Sequence, residues 1–306
     1  MLVLGLARSG RAAAAALERR GAEVVRAGRE LGNDGELELL DGTELLVKSP
    51  GVPREAVLVA EAERRGVPIW SEVELGYRLL EPRLLGVTGT NGKTTTSKLL
   101  GVMLGAPVAG NVGRALTDLD GRVAPGDRIV CELSSFQLED VHELACDVAV
   151  LLNLEPDHLD RYESFEAYRD AKLRIFERAR AKVVPRGLGL EGIEFSAADP
   201  LPAEPLIPGA HNRENAAAAT VAARAAGASE EAIAHALRTF PGVPHRLELV
   251  RELNGVRYVN DSKATNVAAA LRALATYERE PVHLILGGSS KGESFAPLAA
   301  ALGVPT

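Results

Sequence analysis

Cysteine is scarce in this chain: 306 residues hold only Cys131 and Cys146, too few for a disulfide framework. Each stands in or just before an apolar run, where a thiol packs as a small buried hydrophobe rather than as a nucleophile. There is no charged-then-apolar leader and no apolar span long enough to cross a membrane, so a cytoplasmic protein without membrane insertion is expected. There is no run of basic residues either, and the net charge is −7, which argues against nucleic acid or an anionic membrane as partner. The remaining composition, 46% hydrophobic and 25% charged, is that of ordinary globular material with room for two or three domains.

Two glycine motifs lack parts of their strict patterns. Met1-Leu2-Val3-Leu4-Gly5-Leu6-Ala7-Arg8-Ser9-Gly10 reads as a strand, a glycine turn and an Ala-rich helix ending near Gly21, the first βα unit of a dinucleotide-type fold. Ala7 occupies the second glycine position and no acid closes the next strand, Val24-Val25-Arg26-Ala27-Gly28, which argues against NAD. The second motif, Leu84-Leu85-Gly86-Val87-Thr88-Gly89-Thr90-Asn91-Gly92-Lys93-Thr94-Thr95-Thr96, has Val87 where the strict P-loop has glycine. It is still an apolar strand running through a glycine turn into Lys-Thr at a helix start. Backbone N–H groups there face an anion, Lys93 reaches the terminal phosphates of a nucleotide triphosphate, and the Thr94 hydroxyl is placed for Mg²⁺.

Strands recur at Leu45-Leu46-Val47-Lys48, Ile129-Val130-Cys131-Glu132-Leu133 and Val148-Ala149-Val150-Leu151-Leu152, alternating with helices, so a mostly parallel sheet is expected. The first of these stops at Ser49-Pro50-Gly51-Val52-Pro53, which is either a holder for a second phosphate group or a plain Pro-Gly turn. Ligands gather at the carboxyl ends of such strands, and Glu132, Asn153 and His158 fall there. Glu132, an acid in an apolar strand followed by Ser134, Ser135 and Gln137, suits a metal ligand beside hydrogen-bonding groups. His158 suits a second cation across the cleft, while Glu155 and Arg161 are explained as solvated loop residues.

A helix from about Ser164 places Phe165, Tyr168, Ile175 and Phe176 on one face, with Lys172 among them. That lysine either snorkels or, desolvated, is an amine of lowered pKa. Asn212 is expected to cap an Ala-rich helix after Pro208-Gly209-Ala210, with Asn215 one turn on; the two amides read a base or ribose, or merely cap. Asn254-Gly255 predicts a hairpin between Leu247-Glu248-Leu249-Val250 and Val256-Arg257-Tyr258-Val259. It leads into Asn260-Asp261-Ser262-Lys263-Ala264-Thr265-Asn266, and a further strand Leu284-Ile285-Leu286 precedes Lys291 at the next such junction. A doubly wound third sheet has too few strands before Thr306 to cover its own core, so a C-terminal part is expected to be absent.

Over nearly all of its length the chain resembles the Mur ligase family, through Gly89-Thr90-Asn91-Gly92-Lys93-Thr94, His211-Asn212 with Asn215, Pro244-His245-Arg246 and Asn260-Asp261-Ser262-Lys263. Glu132-Leu133-Ser134-Ser135-Phe136-Gln137-Leu138, Gly110-Asn111-Val112-Gly113 and Asp157-His158-Leu159-Asp160-Arg161 resemble its D-glutamate-adding branch. The resemblance implies an α/β protein: an N-terminal Rossmann-like domain over 1–83 for the UDP substrate, a central P-loop ATPase domain over 84–243, and a partial C-terminal Rossmann-like domain over 244–306. It implies a monomeric ATP-dependent ligase joining D-glutamate to UDP-N-acetylmuramoyl-L-alanine through an acyl phosphate in peptidoglycan precursor synthesis, releasing ADP and phosphate. Two Mg²⁺ would take part.

The resemblance also implies roles. Gly89, Thr90, Asn91, Gly92, Lys93, Thr94 and Thr95 would cradle the phosphates, with Thr94 and Glu132 on one Mg²⁺ and His158 on the second. Lys172 matches the lysine that the family carbamylates, giving an anion for the second Mg²⁺; only a neutral amine reacts with CO₂. Asn212, Asn215, Arg246 and Asp261 would hold the nucleotide, and Arg8, Ser9, Ser49, Pro50, Gly51, Asn111, Ser134 and Gln137 the acceptor. Lys263, Thr265 and Lys291 would face the amino acid or the intermediate. The chain departs from the family at Glu155-Pro156, at Ser289-Ser290 before Lys291, and at Gly28, near which a uracil-contacting acid is expected. With family residues for D-glutamate lying beyond position 306, the expectation is that the chain binds both nucleotides without turnover. A sibling acid–amino-acid ligase such as a folylpolyglutamate synthase fits Ser134-Ser135-Phe136-Gln137 less well, and a non-catalytic nucleotide-binding protein leaves Glu132, His158 and Lys172 without a purpose.

Overall fold

Apolar strands with helices on both faces build the first two of three successive sheets in the computed structural model, which describes residues 1–158, 160–288 and 294–302. The first is formed by β1 (Leu2–Leu4), β2 (Val25–Ala27), β3 (Leu46–Lys48) and β4 (Ile69–Ser71), interleaved with α1 (Arg8–Arg19) and α2 (Val57–Arg65) and followed by α3 (Glu72–Leu80). All pairings are parallel, in the order β2-β1-β3-β4. Leu2 and Leu4 pack on α2 while Val3 packs on α1, so every residue of β1 is apolar and buried. The strand order reverses between β1 and β3, which puts the loops after them at a switch-point crevice. Gly10 lets α1 start against that crevice, since a Cβ there would lie 1.9 Å from the Gly5 carbonyl oxygen.

The second sheet comprises β5 (Arg83–Thr88), β6 (Val108–Gly110), β7 (Arg128–Glu132), β8 (Val148–Leu151), β9 (Ala181–Pro185) and β10 (Ile193–Phe195). It too is parallel throughout, in the order β10-β9-β8-β5-β7-β6. One face carries α4 (Lys93–Leu104), α7 (Ala210–Ala225) and α8 (Glu230–Thr239), with the alanines of α7 allowing close approach. The other face buries Val73 and Leu80 of α3 beside α5 (Ser135–Leu138) and the segment after α6 (Phe165–Leu173). Cys131 and Cys146 lie in this core as free thiols, and burial pushes the Cys146 thiol up to about 12.

Polar bonds lock the two sheet units together. Ser71 N–H donates to the Asp140 carbonyl at 2.9 Å, and Lys48 Nζ meets Asp140 Oδ2 at 2.9 Å as an ion pair. Glu74 accepts the backbone N–H groups of His142, Glu143 and Leu144, and Asp120 pairs with Arg19, the last residue of α1, and with Arg20 just after it.

The third sheet is the hairpin of β11 (Glu248–Leu253) and β12 (Val256–Asn260). Its turn residues Asn254 and Gly255 have φ of 50° and 78°, the left-handed pair that an Asn-Gly hairpin predicts. Two helices follow, α9 (Val267–Thr276) and α10 (Ala296–Ala301). The expected strand at Leu284-Ile285-Leu286 does not form: the segment is not part of any sheet, and Ile285 is 93% exposed. An apolar run becomes a strand only against a hydrogen-bonding neighbour. Leu159, Ser289, Ser290 and Lys291 lie outside the described residues. No helix among the described residues is long and apolar enough to cross a membrane.

Candidate active site

Strand β5 ends at Thr88, between β7 and β8, and the chain turns through Gly89, Thr90, Asn91 and Gly92 before α4 opens at Lys93. Val87 is fully buried in the core of the sheet, so the turn begins later than in the strict phosphate-loop pattern and the missing glycine has no job there. The two glycines of the turn are needed. Gly89 has φ of 147° and a Cβ there would come within 2.9 Å of Leu152, while a Cβ on Gly92 would lie 2.2 Å from Asn215 Oδ1. Asn153 braces the turn from the loop just after β8, accepting Asn91 N–H at 2.8 Å and donating to the Asn91 carbonyl. Lys93 Nζ is folded onto the turn, donating to Gly89 O at 2.7 Å and Thr90 O at 2.8 Å, and burial lowers its pKa.

Lys172 meets the same turn from α6. The apolar face on which it lies is buried, its Nζ donates to Gly89 O at 2.9 Å and stands 4.7 Å from the Tyr168 ring centroid. Burial, and then the charge of Lys93, hold its pKa well below the ordinary lysine value. Tyr168 continues across the turn with its hydroxyl 3.0 Å from Thr90 Oγ1. Glu132 ends β7 buried at 2% exposure, and its Oε1 accepts Asn111 Nδ2 at 3.0 Å. Arg8 Nη2 in turn donates to Asn111 O, tying the first crevice to the phosphate turn. His158 has φ of 54° and packs its ring edge-on against Phe136 at 4.9 Å; burial lowers its pKa, leaving a neutral imidazole 3.7 Å from Asp157. Ser134 and Gln137 bond mainly each other, as the N-cap and third residue of α5, but Gln137 Nε2 is buried without a partner.

Beside the turn opens a cleft of about 660 Å³, reached by Asn91, Gly92, Thr95, Asn212, Asn215, Arg246 and Asp261. Asn153 and His211, both within the sequence signals, line it as well, together with Glu214, Arg272 and Tyr277, which no sequence motif singles out. Asn212 does not cap α7: the N-cap is Gly209, and Asn212 Nδ2 donates back to Pro208 O at 2.7 Å from inside the first turn. The glycine at φ of 100° can start the helix where a cap side chain has no room, as its Cβ would lie 2.8 Å from Thr276 Oγ1. Arg246 Nε is buried with no partner, a donor suited to an anionic guest. Lys263 and Thr265 are exposed and do not line this cleft. 

In the first crevice, Ser49 Oγ donates to Gly5 O at 2.6 Å, so the β1 and β3 loops hold each other, with Arg8 and Ser9 at the start of α1. No acid closes β2, but Glu30 supplies one: its Oε1 accepts Leu6 N–H at 2.8 Å, and its carboxylate fills the space a side chain on Gly28 would need. Arg161 is not a solvated loop residue; it lies 4.0 Å over the Phe136 ring and donates to Pro50 O at 3.2 Å. Glu155 is also engaged, by Asn91 and by Arg272. Distance along the chain concealed these partners.

Residues 87–186 match the Mur ligase middle domain. The chain is 39% identical to the UDP-N-acetylmuramoylalanine–D-glutamate ligase of Shouchella clausii, over 99% of its length and 79% of that protein. The chain belongs to the Mur ligase family. It is 35% identical to the Bacillus subtilis ligase of the same name, over 97% of this chain and 78% of that one. Its fold is similar to Thermotoga maritima MurC, a UDP-N-acetylmuramate-alanine ligase (TM-score 0.55, 20% identity, 90% and 78% covered), and to E. coli FolC (0.54, 20%, 69% and 69%). Mur ligases use ATP and Mg²⁺, and this site fits both. Leu152 and Asn215 leave no room for a Cβ on Gly89 or Gly92, which keeps this turn a glycine turn at a helix start, suited to phosphates, and the Thr94 hydroxyl and the Glu132 carboxylate are hard oxygens of the kind Mg²⁺ takes while keeping several waters. No cluster of three or more metal-ligating side chains is preassembled among the described residues.

Proposed function

We propose that this Mur ligase joins D-glutamate to UDP-N-acetylmuramoyl-L-alanine at the expense of ATP, the step carried out by its relatives of that name, in the cytoplasmic assembly of the peptidoglycan precursor. The observation that carries this reading is the chain of contacts from Arg8 through Asn111 to Glu132. It sets the crevice of the first sheet, suited to a nucleotide-linked acceptor, against the phosphate turn of the second. An acceptor seated there reaches the turn with its free carboxylate, which ATP phosphorylates for attack by the D-glutamate amine.

We infer the roles from the family resemblance together with where the described side chains lie. Residues 1–83 hold the UDP end with Arg8, Ser9 and the Ser49-Pro50-Gly51 turn, and residues 84–243 hold ATP. Residues 244–306 close over it through Arg246 and Asp261. Lys93 neutralises the terminal phosphates, Asn212 and Asn215 hold the nucleoside, and Asn111, Ser134 and Gln137 hold the muramoyl-alanine portion; Gln137 has a free buried donor for it. Thr94 and Glu132 take one Mg²⁺, and His158, as a neutral imidazole, a second. Lys172, kept deprotonated by burial, accepts CO₂ and presents a carbamate oxygen to that second ion. The family resemblance alone assigns Lys263 and Thr265, and Lys291 outside the described residues, to the amino acid. The metals supply charge neutralisation at the transferring phosphoryl group.

Calorimetric titration with Mg²⁺ and a non-hydrolysable ATP analogue tests the reading. UDP-N-acetylmuramoyl-L-alanine should bind at least tenfold more tightly than the form without alanine; equal affinities would return the substrate to the wider family.

A further inference from the structure

Glu155 sits in the loop after β8 as a junction between the phosphate turn and α9. Its backbone N–H donates to Thr90 Oγ1 at 3.0 Å, and its carbonyl accepts the same hydroxyl at 3.1 Å. Its Oε2 accepts Asn91 Nδ2 at 3.1 Å, and its Oε1 pairs with Arg272 Nη2. Arg272 comes from the second turn of α9, and Glu214 and His211 of α7 stand within its electrostatic reach. Both members of the pair are about one-third exposed at the cleft wall, which leaves the contact partly screened but not free in water. Among the described residues it is the one ion pair between the segment after residue 247 and the ATP-binding sheet unit.

We propose that Glu155 and Arg272 are a positioning pair for ATP, through which the geometry of the phosphate turn and the seating of α9 over the nucleotide cleft depend on each other. The inference rests on the ligase reading only in taking ATP as the guest. One carboxylate oxygen orders Asn91, a member of the cradle, and the other fixes α9. Whatever organises the turn therefore also favours the seated helix, and seating the helix favours the organised turn. Coupling of this kind is reciprocal, so losing either partner weakens ATP even though neither side chain need touch a phosphate. Pro156 restricts Glu155 to extended backbone, which lets its main chain bond Thr90 while the carboxylate reaches past the turn.

The test is a double-mutant cycle on the full chain, reading the Kd of a non-hydrolysable ATP analogue with Mg²⁺ by calorimetry. Glu155→Gln keeps an acceptor for Asn91 and should weaken binding about five- to tenfold, as should Arg272→Gln; the double variant should be no worse than either single one. Arg272→Lys should recover most of the affinity, and the losses should shrink from 50 to 500 mM KCl. Tm should move by less than about 4 °C in each variant, which separates a local role from unfolding. Unchanged affinity in the single variants, or losses that multiply in the double, would overturn the pair while leaving the ligase reading intact. A wild-type chain that fails to bind the analogue would remove the reading and the inference with it.

Discussion

Lys93 and Lys172 donate to one carbonyl oxygen, that of Gly89, at 2.7 and 2.9 Å. Lys172 is buried and Lys93 partly so, and after burial itself it is the charge of Lys93 that disfavours the Lys172 proton. Lys172 yields, as its pKa is the one driven well below the lysine range. Exposed to ¹³C-bicarbonate, the protein is predicted to show a carbamate carbonyl resonance that disappears in Lys172→Ala. A spectrum unchanged by the substitution would refute the carbamate.

The same lysine has a stability signature. A lysine with a depressed folded pKa binds more protons in the unfolded chain, so its contribution improves as pH rises from the folded value toward 10.5. Lys172→Met removes the buried amine while Lys93 still satisfies Gly89 O. It should raise Tm by about 2–4 °C at pH 6 and by less at pH 9, as differential scanning calorimetry would record.

Glu72 carries the opposite sign. It is fully buried, Thr117 donates both its N–H and its hydroxyl to Oε1 at 2.7 Å, and Oε2 has no partner. Burial raises its pKa from 4.5 to about 7, so the folded state holds the proton longer than the unfolded chain. Its contribution is fully present below about pH 4.5 and is lost as pH climbs through about 7. Glu72→Gln should therefore gain about 1–3 kcal/mol over the parent at pH 8 and little at pH 5 in urea unfolding.

At the joint of the first two sheets, Lys48 is 1% exposed and balanced by Asp140. Asp140→Ala leaves that cation only the more distant Glu139 carboxylate, at 3.9 Å, and the Val52 carbonyl, and should cost about 1–3 kcal/mol, whereas the double change Lys48→Met with Asp140→Leu should cost less. Equal losses in the two proteins, by denaturant titration, would show that the pair is not what holds the joint.

How legible this protein is depends on whether a feature is local. Asn254-Gly255 forces its hairpin, and the apolar run into Gly89 and Gly92 forces a strand, a turn and a helix, because the chemistry lies within a few neighbours. Lys172 stands out for the same reason, being a charge on an apolar helical face. Glu30, Glu155, Arg161 and Arg272 are read wrongly or missed, since their partners Leu6, Asn91, Pro50 and Glu155 are 24, 64, 111 and 117 positions away. Leu284-Ile285-Leu286 fails in the other direction, as an apolar pattern alone does not supply a strand to pair with.

Glu30 offers a separate check on the first crevice. Glu30→Ala frees Leu6 N–H and loosens the β1 loop, so the UDP-linked acceptor should bind about tenfold more weakly while ATP affinity stays unchanged. Parallel losses for both ligands would show that the two sites are not separate.

Everything proposed above depends on two nucleotide sites in one chain, an acceptor crevice and an ATP cleft joined through Arg8, Asn111 and Glu132. A crystal structure with Mg²⁺, a non-hydrolysable ATP analogue and UDP-N-acetylmuramoyl-L-alanine tests it most directly. ATP phosphates are expected on residues 89–95, the UDP diphosphate between the loops at 5–9 and 49–51, and the alanyl carboxylate between them near Glu132. An acceptor bound elsewhere, or ATP in the first crevice, would contradict it.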